Sequence, residues 1–127
     1  MPNRDAVFFD ELRKCRYIRA LSTTECTIRF DIRHRDRTVH WRVTVNRGDV
    51  VVSPGTGDAD GVFSMDELSF QRLADGGTVP FAAFLSNEMG VQGRFGLLAV
   101  VQQLFHERPG AHHPRQFAEH DGRRRER

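Results

Sequence analysis

Asp31 and His40 are the two side chains whose types best suit proton transfer, a carboxylate that could orient an imidazole acting as general base. Covalent catalysis would also need a hydroxyl or thiol within reach of that imidazole, and the pattern places no Ser or Cys beside it. Both residues fall on the solvent side of two alternating strands, so the pair reads as a surface cross-strand contact of little specificity. His106, His112, His113 and His120 occur late in the chain without HExxH or CxxC spacing, and no metal is expected on them. Gly55-Thr56-Gly57 lacks the lysine and the following helix of a phosphate loop and reads as a turn. Cys15 and Cys26 support neither a disulfide framework nor a CxxC site and read as reduced thiols. No catalytic group and no cofactor is assigned.

The elements that would position these groups follow from periodicity. Val7, Phe8, Leu12, Cys15 and Ile18 mark one face of a helix over residues 5–21, ended by Ser22-Thr23-Thr24. Ile28, Phe30 and Ile32 alternate with charged residues, and Val39, Trp41, Val43 and Val45 alternate with polar ones, giving two strands with one dry face each. With residues 34–37 as the turn, Phe30 faces Trp41, Ile28 faces Val43 and Asp31 faces His40. Asn46-Arg47-Gly48-Asp49 has the chemistry of a second hairpin turn, leading to a third strand at residues 50–52 that Ser53-Pro54-Gly55 interrupts. Val62-Phe63 reads as a short fourth strand. Ser64 and Glu67 have capping-box spacing for a helix carrying Leu68 and Leu73 to a stop at Gly76-Gly77. Pro80 suits the first turn of a helix over residues 81–85, residues 88–92 form a fifth strand, and Leu97, Leu98, Val101, Leu104 and Phe105 form a last helical stripe. One-sided strands need a covering layer and amphipathic helices supply it, so an α+β sandwich of helices on an antiparallel sheet is expected.

Phe81, Phe84, Leu85 and Met89, together with the last stripe, are either ordinary core or the wall of a lipid cavity; spacing alone favours core. The run from Val79 through Pro80-Phe81, Glu88-Met89-Gly90-Val91-Gln92 to Gly93 passes from an apolar helical turn into a short strand ending at a glycine. Upstream, Trp41-Arg42-Val43-Thr44-Val45 leads into Asn46-Arg47-Gly48, and downstream Leu97-Leu98 opens a helix closing at Leu104-Phe105. In order and spacing these segments resemble the sterol carrier protein type 2 family over roughly residues 28–105. Arg94, where an acidic residue is common, and Asn87, where a glycine is common, depart from its pattern. The resemblance implies a five-stranded mostly antiparallel mixed sheet with helices packed on one face and an apolar tunnel between them, the strand at residues 88–92 being the last. It implies tunnel walls from Trp41, Val43, Phe70, Leu73, Phe81, Phe84 and Leu85, and from Met89, Val91, Phe95, Leu98, Val101, Leu104 and Phe105. Phe70 and Phe95, off the clearest stripes, are candidates for the tunnel mouth. Gln92 and Arg94 flank Gly93 at the start of the last helix, where orphan amides favour an anionic head group.

The function expected on that resemblance is non-catalytic binding or transfer of a fatty acid, fatty acyl-CoA, sterol-like or other lipid. Each buried methylene contributes about 0.8 kcal/mol, so about ten supply about 8 kcal/mol before binding costs, without any catalytic group. An accessory or catalytic role in a bacterial biosynthetic pathway, with Arg94, His40 or Glu88 assisting, and a pure interaction module stay open beside it. One domain over residues 1–105 is expected, with a polar, arginine-rich tail at 106–127. Six arginines and four acids follow His106, so the net charge of +2 belongs to the tail, which could add at most weak contact with an anionic membrane surface. Of the nineteen basic residues only Lys14 is a lysine, which fits a GC-rich bacterial genome, and arginine without interleaved exposed aromatics argues against nucleic-acid binding. No run approaches the ~18 apolar residues that span a bilayer, the first residues are too polar for a signal peptide, and the chain lacks a peroxisomal tripeptide. A cytoplasmic protein is expected, and a homodimer stays open.

Overall fold

The structure, a computed structural model, describes residues 4–107. The tail over residues 108–127, and with it the membrane contact and three of the late histidines, lies outside the described residues. The elements run α1 (Arg4–Cys15), a 3-10 turn (Arg19–Leu21), β1 (Glu25–Arg33), β2 (Thr38–Asn46), β3 (Asp49–Pro54), β4 (Gly61–Asp66), α2 (Glu67–Asp75), α3 (Pro80–Leu85), β5 (Gly90–Gly93) and α4 (Leu97–Glu107).

The five strands form one sheet in the order β3-β2-β1-β4-β5. The β1–β2 hairpin has the register expected from its pattern, with Ile28 opposite Val43, Phe30 opposite Trp41 and Asp31 opposite His40. At the second turn Arg47 (φ 51°) and Gly48 (φ 92°) are both left-handed, the geometry that matches strand twist in a two-residue hairpin. β3 runs on through Ser53 and ends at Pro54, which still pairs with Trp41. Proline is tolerated there because β3 is an edge strand whose outer N–H groups have no ladder to join.

The chain then crosses over, and β4 pairs in parallel with β1, from Ile28 opposite Gly61 to Arg33 opposite Asp66, while β5 pairs antiparallel with β4. The sheet is therefore mixed, where patterning alone indicated an antiparallel one. The same crossover extends the fourth strand well past Val62-Phe63 and draws Ser64 into it, so Ser64 cannot cap α2. Asp66 does so instead, its side chain accepting from the Ser69 N–H at 2.8 Å, and Gly76 (φ 83°) closes the helix as expected.

The expected helix over residues 5–21 is broken in two. α1 ends at Cys15, Arg16 turns left-handed (φ 57°), and the chain lies against the β2–β3 turn, with Ile18 N–H donating to Gly48 C=O at 2.8 Å and Val50 N–H to Arg16 C=O at 2.7 Å. Ile18 continues the apolar spacing of α1 but is buried by this docking. The buried side of α1 is also rotated from the expected one: Phe9 is 0% exposed and Val7 42%. The fifth strand starts at Gly90, two residues late, because Asn87 (φ 65°) and Glu88, whose N–H bonds Ala83 C=O at 2.8 Å, complete the turn after α3.

The inner sheet face carries Ile28, Phe30, Ile32, Val43, Val45, Phe63 and Met65, all buried under the helices. At its centre is an aromatic cluster: Phe9 stacks on Trp41 (centroids 4.8 Å) and Phe70 (5.7 Å), and Phe8 stacks on Phe105 (4.7 Å). The outer face carries Arg29, Asp31, His40, Arg42 and Thr44, so period two separates a dry side from a wet one.

Candidate apolar ligand site

α3 and the loop before α4 build an opening in the apolar layer. Val79 enters α3 with extended backbone and Pro80 occupies the first turn, so the helix begins sharply and its six residues turn Phe81 and Leu85 outward while Ala83 is buried. After β5, Gly93 (φ 92°) comes so close to strand β4's approach that a Cβ there would lie 2.4 Å from the Asp60 carbonyl oxygen. Arg94 N–H donates to that same carbonyl at 3.2 Å, and the turn delivers Phe95 and Gly96 to the start of α4.

An open cleft of about 270 Å³ lies between α3 and α4, lined by Phe81, Phe95, Gly96, Leu98, Ala99 and Gln102. Phe81 is 49% and Phe95 51% exposed, and the Phe95 ring meets Phe84 edge-on with centroids 5.1 Å apart. Gln102 is the polar side chain of the lining; its Oε1 accepts from the Phe81 N–H at 3.4 Å, tying α4 to α3. A Cβ on Gly96 would meet no atom within 4 Å, so glycine there leaves the mouth open.

Among the residues singled out as tunnel wall, Phe81, Phe95 and Leu98 line this cavity. Val43, Phe70, Leu73, Met89, Val101, Leu104 and Phe105 are buried in the core, and Trp41, Phe84 and Val91 pack against it half-buried. Leu85 points to solvent. Phe70, placed at a mouth by its spacing, is 1% exposed at the heart of the aromatic cluster, because α2 lies across α1 and not at the rim. Gln92 and Arg94 are exposed and do not line the cavity. Gly96, just before α4, and Ala99 and Gln102 on it also line the cleft, and sequence reasoning did not single them out. The Trp41 Nε1 donor is buried without a hydrogen-bond partner among the described residues.

The polar constellation on the outer face holds a surprise of topology. The crossover brings Ser64 into register beside Asp31, on the side away from His40. His40 Nδ1 contacts Asp31 Oδ1 at 2.7 Å, and Arg29 holds the same carboxylate through Nε (2.9 Å) and a terminal nitrogen (3.0 Å). The carboxylate thus separates the hydroxyl from the imidazole, so the three do not form a nucleophile, base and orienting acid in that order. Burial raises the Asp31 pKa, but the hydrogen bonds from Arg29 and His40 outweigh it and hold the group below its ordinary value. Burial, reinforced by Asp60 and opposed by Arg94, pushes the Cys26 thiol up, away from the reactive thiolate.

Several solved structures share this fold. Sterol carrier protein 2 from Yarrowia lipolytica in its apo form aligns with a TM-score of 0.67 at 19% identity, covering 82% of this chain and 91% of that one. A conserved hypothetical protein of Thermus thermophilus, described as possibly a sterol carrier protein, aligns at 0.66 with 20% identity over 84% of this chain and 86% of its own. The palmitated SCP2L2 of Aedes aegypti aligns at 0.60 with 13% identity over 82% and 97%. No curated protein matches the chain in sequence. The model of the SCP-2 sterol transfer family matches residues 11–106, from within α1 through nearly all of α4, and by that match the chain belongs to the SCP-2 sterol transfer family.

Proposed function

We propose that this protein binds and carries a single apolar molecule, a fatty acid, fatty acyl-CoA or sterol-like lipid, without transforming it. The observation that carries the reading is the apolar cavity between α3 and α4, rimmed by two half-exposed phenylalanines in a chain of the SCP-2 sterol transfer family. The palmitate of the Aedes aegypti relative points to an acyl chain as the first ligand to try. At 270 Å³ the cleft is just under the ~300 Å³ at which pockets begin to enclose whole ligands, so a long acyl chain would extend beyond it.

Native mass spectrometry of the freshly purified protein, followed by titration with a fluorescent fatty acid, tests this directly. Saturable uptake at one molecule per chain is expected. Ala99→Trp, at an exposed lining position, should fill the cavity and reduce uptake at least tenfold while leaving the circular dichroism and melting temperature near those of wild type. Uptake by the variant equal to wild type, or no uptake of fatty acid, acyl-CoA or sterol by the wild type, overturns the proposal. Val101→Asp would not serve, because Val101 is fully buried and a carboxylate there would unfold the core.

A further inference from the structure

On the sheet face away from the helices, Arg42 of β2 stands opposite Arg29 of β1 and Ser53 of β3. Like charges directly across a strand pair are destabilising unless something neutralises them. The nearby carboxylate of Asp31 is already taken by two hydrogen bonds from Arg29 and one contact from His40. In the β3–β4 loop, Asp60 is held by the Thr27 N–H at 2.8 Å, and Asp58 is exposed and forms no ion pair with Arg42. Arg42 is a partly buried residue whose guanidinium makes no hydrogen bond or ion pair with any described residue.

Its side chain lies against the β3–β4 loop. A Cβ on Gly57 would overlap a terminal nitrogen and Cζ of Arg42, so the guanidinium occupies the space that a side chain at residue 57 would take. Gly55 (φ 123°) turns the loop back over β2, its N–H donating to His40 C=O at 3.0 Å. A planar guanidinium without a counter-charge, beside a hydroxyl and the Asp31-paired guanidinium of Arg29, is a donor set that suits a phosphate group. We propose that the outer sheet face carries a phosphate-binding site centred on Arg42, with Arg29 and Ser53 beside it, distinct from the apolar cavity. A phosphate on Arg42 supplies the counter-charge that its guanidinium lacks, while Arg29 remains paired with Asp31. The group could belong to a soluble phosphate or to a lipid head group, and the two sources are separable.

The test is titration of the isotope-labelled protein with inorganic phosphate at constant ionic strength, read by NMR, with chloride as the matched control. Saturable shifts of the Arg42 and Arg29 side-chain N–H signals and the Ser53 amide are expected. Arg42→Gln should weaken binding about tenfold or more without lowering the melting temperature, since it also removes a like-charge pair. Gly57→Ala keeps every charge but displaces the guanidinium, and should weaken phosphate binding as well. Sedimentation with phosphatidic acid vesicles but not phosphatidylcholine vesicles, competed by inorganic phosphate, identifies a lipid source; phosphate binding without sedimentation identifies a soluble one. No saturable shift beyond the chloride control, or undiminished binding by Arg42→Gln or Gly57→Ala, overturns the proposal. Lipid uptake by the apolar cavity is measured separately and decides neither outcome.

Discussion

Asp31 is the residue at which the wet face of the sheet is most tightly organised, receiving Arg29 and His40 on one carboxylate. Because its folded pKa lies below its ordinary value of 3.8, the group binds its proton less readily folded than unfolded. Its contribution to stability is therefore fully present above about pH 4 to 5 and is lost as the pH falls through the lowered folded value. Asp31→Asn should shift the urea midpoint downward at neutral pH, and the gap from wild type should close only below about pH 4. A gap that persists unchanged at pH 2.5 would mean that the carboxylate charge is not what matters. In sequence this pair was legible, because turn residues 34–37 set the register. Its third neighbour Ser64 was not, since parallel pairing with a distant strand leaves no local mark. Gln102 was illegible for a related reason: a polar residue in an apolar helix reads as solvated until α3 is laid against it.

At the scale of elements, two boundaries separate local signals from tertiary ones. The α2 cap is Asp66, so Asp66→Ala should cost about 1 kcal/mol in chemical denaturation, whereas Ser64→Ala, in the strand, should leave the helix end intact. Equal losses would restore Ser64 as the cap. The second hairpin turn is more demanding. Gly48 has φ 92° and a Cβ there would lie 2.5 Å from Tyr17 Cε1, in the segment that breaks α1 from the 3-10 turn. Gly48→Ala should therefore lower stability by about 1–3 kcal/mol, with the loss read as a lower melting temperature. The break at Arg16 was not visible in the sequence because Ile18 keeps the helical spacing; the hydrogen bonds to Gly48 and Val50 that reward the break come from residues some thirty positions away.

For the molecule as a whole, one aromatic cluster joins α1, the sheet, α2 and α4. Phe9 touches Phe8, Phe30, Trp41 and Phe70 and is fully buried, so Phe9→Ala should cost about 3–5 kcal/mol, whereas Val7→Ala, two residues away, should change stability by less than about 0.5 kcal/mol. Comparable losses at both positions would place the wrong face of α1 inward. Among the described residues no helix is long and apolar enough to cross a membrane. The apolar surface that does reach solvent includes Phe81, Leu85 and Phe95, on α3 and the loop before α4, next to the candidate ligand cavity.

Period two in residues 28–32 and 39–45, together with the turn chemistry of residues 34–37 and 46–49, determined by itself a one-sided hairpin sheet in the correct register. A one-residue slip would have put Phe30 and Trp41 in water, and that penalty is written into adjacent residues. The helical stripes likewise determined that a covering layer exists. Only the tertiary structure decided that β4 crosses to the far side of β1, that Phe70 belongs to the core and Phe95 to a rim, and that Gly96, Ala99 and Gln102 face α3 across a gap. Spacing reports which side of an element is apolar, but the neighbour that covers that side, and how completely, depends on contacts between segments far apart in the chain.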